Sequence, residues 1–276
     1  MKLVNIINIF IIIFFLISCA KEEIKDSIIK EKNLDLQVFE AYSEGQQALK
    51  GGDVLFAAKK FNEAEKLFPQ SEWAPKSALM AAYSYYSQDY YGDAIAELER
   101  FIKIYQLDKN LDYAYYLLGI CYYEQIVDET KDTQAIIKAK NILKFLVKEY
   151  PKTDYALDAS YKLDLIDDIL AAKEMYLARY YLDKKKWIPA INRFQMVINQ
   201  YDTTIYTEEA LHRLVEVHYL LGLEKEAKKY ANLLGYNFQS SKWYEKSYEI
   251  FNRDYNSKKL NKQKKGIYSK LKSIFD

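Results

Sequence analysis

Cysteine and histidine, the residues that most often carry thiol, metal and general acid–base chemistry, are few: two cysteines, Cys19 and Cys121, and two histidines, His212 and His218. Glu209 and His212 have the spacing of half a di-iron site in a helical bundle. Such a site needs a second Glu-x-x-His and further carboxylates facing it, and the only other histidine is His218. No phosphate-cradling Gly-x-x-x-x-Gly-Lys-Ser/Thr loop, His-Glu-x-x-His, Gly-x-Ser-x-Gly or Cys-x-x-Cys occurs. The expectation is therefore no metal, no cofactor and no catalytic residue. Cys121, two residues past Gly119 in an apolar stretch predicted helical, is expected as a small buried residue.

Cys19 has a different context. Residues 3–18 form an apolar run behind Lys2, interrupted by two Asn. It is shorter than the roughly 20 residues of a membrane-spanning helix, and its length suits the core of a secretion signal. Leu16-Ile17-Ser18-Cys19 resembles the lipobox of bacterial lipoproteins. That resemblance implies diacylglyceryl transfer to the Cys19 sulfur, cleavage after small Ser18, and acylation of the new N-terminus. The chemistry needs a thiol nucleophile at the first mature position and a small residue before it. An incidental cysteine on an uncleaved anchor helix is the other reading. Several acyl chains hold firmly, at about 0.8 kcal/mol per buried CH₂. Ala20, where Asp is absent, is compatible in the sorting pattern of such lipoproteins with transfer to the outer membrane. The expected layout is a signal peptide at 1–18, a lipidated Cys19 with a polar tether to residue 36, and a folded body over 37–254.

Hydrophobic residues make up 50% of the 276 and charged ones 29%, a globular balance long enough for a substantial core. With only 8 Gly and 4 Pro, long uninterrupted elements are expected rather than a turn-rich β protein. A net charge of +1 argues against nucleic-acid binding as the main task. The charge is unevenly placed: residues 255–276 carry seven Lys against Asp276, and residues 20–254 have a net charge of −6. A lysine run of this kind is either a solvated end or, with Leu260, Ile267, Leu271 and Ile274 interleaved, a short amphipathic helix for an anionic membrane or an acidic partner.

The body repeats. From Gly45, residues Ala57, Phe61, Ala64 and Pro69 follow at offsets of 12, 16, 19 and 24, which resembles the tetratricopeptide pattern. Small side chains let two antiparallel helices approach, the aromatic fills the space beside them, and Pro ends the second helix. The pattern recurs as Ala82, Ala94, Leu98, Phe101 and Gln106; as Gly119, Ala139, Leu143, Leu146 and Pro151; as Ala178, Ala190, Phe194, Val197 and Asp202; and, more weakly, as Val215, Ala227, Ala231 and Leu234. The third copy holds eight extra residues around Asp128–Thr133, expected as a polar loop. Thr153 to Lys184 contains no Gly or Pro, and Ala159, Leu163, Ile166, Leu170 and Leu177 keep helical spacing. One long helix is expected there. The predicted fold is all-α: a right-handed superhelix of about five helix pairs, with N-terminal repeats at 38–151 and C-terminal repeats at 154–241.

In such a stack the first helix of each pair lines the concave face. Counting along those helices places Tyr42, Tyr83, Tyr86, Tyr113, Tyr116 and Tyr123 there, with Trp73 at the junction of repeats one and two. Tyr offers a large contact area, a polar tip and few rotatable bonds, which suits an extended peptide with alternating aromatic side chains. The competing expectation is that these rings pack between repeats.

Several segments together resemble one family: Phe68–Ala78, Ala94–Ile102, Asp112–Gly119, Ala190-Ile-Asn-Arg193 and Glu209–Glu216. They are similar to the BamD family, lipoproteins of the machinery that assembles outer-membrane β-barrels, over about residues 36–254. The resemblance implies a non-catalytic scaffold, lipid-anchored in the outer membrane and facing the periplasm. Its expected partners are the barrel-forming subunit, unfolded outer-membrane proteins and companion lipoproteins, with no nucleic acid. Arg193 matches the family arginine linked to the barrel-forming subunit; a local ion pair is the alternative. Gln106, Asp202 and the lysine-rich tail depart from the pattern. Two other functions fit a repeat lipoprotein: a scaffold for a cell-wall or pilus/secretin system, and a wall-cleaving transglycosylase. The last needs a separate catalytic domain for which the chain has no room.

Overall fold

The computed structural model describes residues 34–126 and 133–252. Cys19, the expected signal and most of the tether, residues 127–132 of the expected loop, and the tail at 255–276 lie outside the described residues.

Within them every regular element is a helix. Repeat one is α1 (Leu34–Lys50) and α2 (Val54–Leu67); repeat two is α3 (Trp73–Tyr86) and α4 (Tyr91–Ile104); repeat three is α5 (Leu111–Tyr123) and α6 (Gln134–Glu149). Then come α7 (Asp154–Asp183) with α8 (Trp187–Gln200), α9 (Thr207–Leu220) with α10 (Glu224–Asn237), and a closing α11 (Lys242–Phe251). Each helix packs against the next, and neighbours run antiparallel. First helices also meet the first helix of the following repeat, as α3 meets α5 and α5 meets α7. The five expected helix pairs are all present. Helix α11 was not anticipated: it covers α9 and α10 as a further first helix, and no second helix follows it among the described residues.

The small-residue positions do what their spacing predicts. A Cβ on Gly45 would stand 2.9 Å from the Phe61 ring, and one on Gly119 would stand 2.5 Å from Leu143 Cδ2. The long helix is also as expected. Thr153 Oγ1 accepts the Ala156 N–H at 3.2 Å to start α7, and 30 residues at the α-helical rise make it about 45 Å long. Ala159 and Ile166 on its first half enter the core of repeats two and three, whereas Ala171, Met175 and Ala178 on its second half enter the core of repeats four and five. A third cluster around Phe61 and Tyr42 closes repeat one.

Helix termination differs from the proline rule. The second helices α2, α4, α6, α8 and α10 all end on an aromatic residue: Phe68, Tyr105, Tyr150, Tyr201 and Phe238. Each ring packs against its local core. In the last four the backbone N–H still donates to the carbonyl four residues back, closing the last turn. This is why Gln106 and Asp202 can stand where Pro was expected. The turns inside four of the pairs share another feature, a residue in the left-handed region: Gly52, Asp89, Lys185 and Gly222.

Ala is favoured over Gly in a helix interior by about 1 kcal/mol, yet crowding in a packed core costs about 1–3 kcal/mol. Leu143 is fully buried and cannot move aside. Gly119→Ala is therefore expected to lower the thermal melting temperature. Gly92→Ala, where a Cβ meets open space, should not; equal losses in both would remove the packing explanation.

Candidate protein-binding groove and partner site

Three of the seven predicted aromatic residues, Trp73, Tyr83 and Tyr113, line a concavity of about 820 Å³ between α3 and the start of α5. Lys76, Leu79 and Met80 form its floor and wall, and Leu107 to Asn110 form its lip. Tyr83 is 37% exposed, the most of the predicted tyrosines; Leu107 on the lip is 99% exposed. An apolar side chain so fully in water beside an aromatic wall is what an apolar partner would cover.

The other four do structural work next to this groove. Tyr42 is buried, packed edge-on against Phe61 and Trp73 with ring centroids 5.2 and 5.1 Å away. The Lys76 ammonium stands 4.8 Å from the Trp73 ring and 5.0 Å from that of Tyr42, fixing the indole from one side. Tyr86 packs between Tyr83 and Tyr91. Tyr116 donates to Asp158 Oδ2 at 2.8 Å and its ring lies 5.1 Å from Tyr155. Tyr123 faces the Lys162 ammonium at 5.2 Å. Burial pushes the Tyr113 hydroxyl above its ordinary value; burial and Asp158 do the same to Tyr116. Both remain neutral hydrogen-bonding groups over the physiological range. Sequence reasoning missed Tyr155, which packs on Tyr113 at 5.3 Å. It sits in the half of α7 that precedes the fourth repeat's own pattern.

The lip is held by a network that no motif signals. Glu65 on α2 is buried, and its carboxylate accepts from Arg100 Nη1 and Nη2 at 2.7 and 2.6 Å and from the Tyr105 hydroxyl at 2.7 Å. Arg100 Nε also donates to Glu97 at 2.9 Å. Burial raises the Glu65 pKa, but the bonds from Arg100 and Tyr105 outweigh it and hold the carboxyl below its ordinary value. Tyr105 ends α4 two residues before Leu107, so this buried carboxylate anchors the lip to repeat one.

Arg193 on α8 borders a second concavity of about 440 Å³ between α6, α7 and α8, with Lys140, Glu174, Leu177 and Tyr201 around it. Its Nη1 donates to both oxygens of Glu174, at 3.1 and 2.8 Å, and the side chain is 35% exposed. The local ion pair exists, but it runs through one nitrogen of a five-donor fork. Glu209 and His212 do not converge on a site. Glu209 accepts from Arg179 Nε and Nη2 at 3.0 and 2.7 Å, while His212 Nδ1 meets Ser247 Oγ at 2.8 Å beneath the Trp243 ring. Cys121 is fully buried, and burial pushes its thiol up to about 12. No described helix is long and apolar enough to cross a membrane.

Because the Glu65 pKa is depressed in the folded chain, its stabilisation is present above the ordinary carboxylate range and is lost as pH falls through the folded value. Charged hydrogen bonds of this kind contribute about 1.5–3 kcal/mol. Glu65→Gln is expected to lower the melting temperature at neutral pH and to flatten its decline on acidification. An unchanged acid limb would mean that other carboxylates set it.

Comparison with known proteins bears on the whole arrangement. Residues 34–233 match the YfiO family, described as outer membrane lipoprotein. The outer membrane protein assembly factor BamD of Caulobacter vibrioides is 41% identical over 235 residues, covering 85% of this chain and 76% of that protein. Its counterpart in Rickettsia prowazekii is 37% identical over 250 residues, covering 91% and 98%. That of Neisseria meningitidis serogroup A is 32% identical over 219 residues, covering 75% and 81%. With residues 34–233 matched by the family model and these relatives covered over 76% to 98% of their own length, the chain belongs to the BamD family of outer membrane protein assembly factors.

Proposed function

We propose that this chain is a non-catalytic scaffold of outer-membrane β-barrel assembly, anchored by lipid on Cys19 and facing the periplasm. In this reading the N-terminal repeats, 38–151, receive unfolded outer-membrane proteins, and the C-terminal repeats, 154–241, dock on the barrel-forming subunit. The observation that carries it is the groove of Trp73, Tyr83 and Tyr113 with Leu107 exposed at its lip, in a chain of this family. An extended segment with alternating aromatic side chains would cover Leu107 and stack on Tyr83. The hydroxyls of Tyr83 and Tyr113 would take up its backbone groups. Tyr86, Tyr116 and Tyr123 extend the aromatic surface along α3 and α5; Tyr42 supports Trp73 from below. Arg193 keeps donors beyond the Glu174 pair, enough for a bidentate grip on a partner carboxylate. Companion lipoproteins would complete the assembly. Folding and insertion then proceed by holding two chains in register, with no bond made or broken by this one.

Arg193→Ala should reduce capture of the barrel-forming subunit from detergent-solubilised envelopes, whereas Glu174→Gln should retain it. Equal losses would assign Arg193 to the local pair alone. Tyr83→Ala and Leu107→Asp, both at exposed positions, should leave stability within about 0.5 kcal/mol. They should weaken binding of an aromatic-rich outer-membrane protein segment by tenfold or more, read by fluorescence anisotropy. Unchanged binding would move the substrate site elsewhere.

A further inference from the structure

One end of the C-terminal repeats has a composition unlike the rest. Helices α7 and α9 both finish there and α8 and α10 both begin there, because each pair is antiparallel. The α7–α8 turn is Lys184-Lys185-Lys186, all three exposed, followed by Ile188 at 72% exposure. At the α9–α10 turn, Leu220, Leu221 and Leu223 are 69%, 42% and 50% exposed. The Tyr219 and Phe251 rings meet at 5.5 Å, which brings the end of α11 to this same end. The sequence that follows α11 carries the seven lysines of residues 255–276.

The acidic groups in and beside these turns are Asp183 before the lysines and Glu224 and Glu226 after Leu223, against Lys184, Lys185, Lys186, Lys225 and Lys228. Glu224 faces Lys228 at 3.8 Å. The backbone adds an independent sign. Lys185 has a φ of 56°, in the left-handed region that a residue bearing a Cβ disfavours. Gly52 and Gly222 fill the equivalent place in two other turns without that cost, and Asp89 fills it while accepting a hydrogen bond from Tyr91. No side-chain bond of that kind accompanies Lys185 among the described contacts, so a charge is kept where glycine would be easier.

We propose that this end is a second membrane contact, which lays the lysines on anionic phospholipid headgroups and sets Ile188, Leu220 and Leu223 into the interface. Leucines alone would suit a protein partner as well. Lysine is depleted at protein interfaces, whereas beside a membrane it extends its apolar stem through the interface with its ammonium among phosphates. The inference rests on the lipoprotein reading only in that a membrane lies within reach of the chain. A contact of this kind would fix how the repeats stand relative to the bilayer, which one N-terminal tether cannot do.

The test is flotation of residues 19–276 carrying Cys19→Ser, so that no acyl group contributes, with vesicles of phosphatidylethanolamine and phosphatidylglycerol or of phosphatidylethanolamine and phosphatidylcholine. Binding to the anionic vesicles alone is expected. Each lysine near such a surface contributes about fivefold, so Lys184→Glu, Lys185→Glu and Lys186→Glu together, which remove three attractions and add three repulsions, should lower the partition coefficient by about a hundredfold or more. Leu220→Ser with Leu223→Ser should lower it by tenfold or more. Lys59→Glu, Lys144→Glu and Lys152→Glu, which change charge equally at exposed positions elsewhere, should lower it far less. Three results would each overturn the proposal: no anionic binding by the parent chain, equal losses in the two triple variants, or loss on deleting 255–276 with none in the Lys184–186 variant. Loss of barrel-subunit capture in that variant without loss of flotation would make the end a protein interface. Failure of capture by Arg193→Ala bears only on the assembly reading.

Discussion

The continuity of α7 is the constraint on which the rest depends. A single helix of 30 residues serves as the last wall of one hydrophobic core and the first wall of the next. Repeat proteins gain stability from neighbour-to-neighbour burial, and a hinge between two such cores would let each module settle alone. With no Gly or Pro between Thr153 and Lys184, no hinge is built in. The groove in repeats two and three and the Arg193 concavity beside repeat four therefore share one rigid element. Lys140 on α6 pairs with Asp167 on α7 while its ammonium faces the Tyr201 ring beyond α8 at 5.0 Å, bridging the two halves near the middle of that helix.

Much of this architecture was legible because its determinants are local and periodic. Gly45 with Phe61, and Gly119 with Leu143, sit at spacings that a reader can align, and their close approaches are the physical content of that alignment. The length of α7 followed from the absence of breakers. The aromatic ends of the second helices were less visible, since Phe68, Tyr105, Tyr150, Tyr201 and Phe238 read as ordinary apolar residues until their common place in the helix is known. Helix α11 escaped for a related reason: among the described residues no second helix follows it, so no pair pattern marks it.

The site was legible in type rather than in detail. Counting along first helices singled out a face on which Trp73, Tyr83 and Tyr113 line one groove. That count cannot say which ring meets solvent. Tyr42 is covered by Trp73 and Lys76, from the loop end and first turn of the next repeat, and this is a tertiary contact with no sequence signature. The Glu65–Arg100–Tyr105 network joins residues 35 and 40 positions apart, beyond any local pattern. Both expectations about Arg193 were reasonable because both are chemically open to it: one nitrogen is spent on Glu174, and the fork has more to offer.

The aromatic helix ends also bear on where such a chain can change its length over evolution. A ring that both stops a helix and fills the core ties the residue count of that helix to the packing beneath it. Adding or removing one residue between Ala139 and Tyr150 would turn the ring out of its seat. At the opposite ends of the pairs the first and second helices meet across a connection, and it is there, between Tyr123 and Gln134, that the third repeat accommodates its extra residues. Insertions of new recognition loops, natural or engineered, have one permissive edge on this molecule and one closed edge.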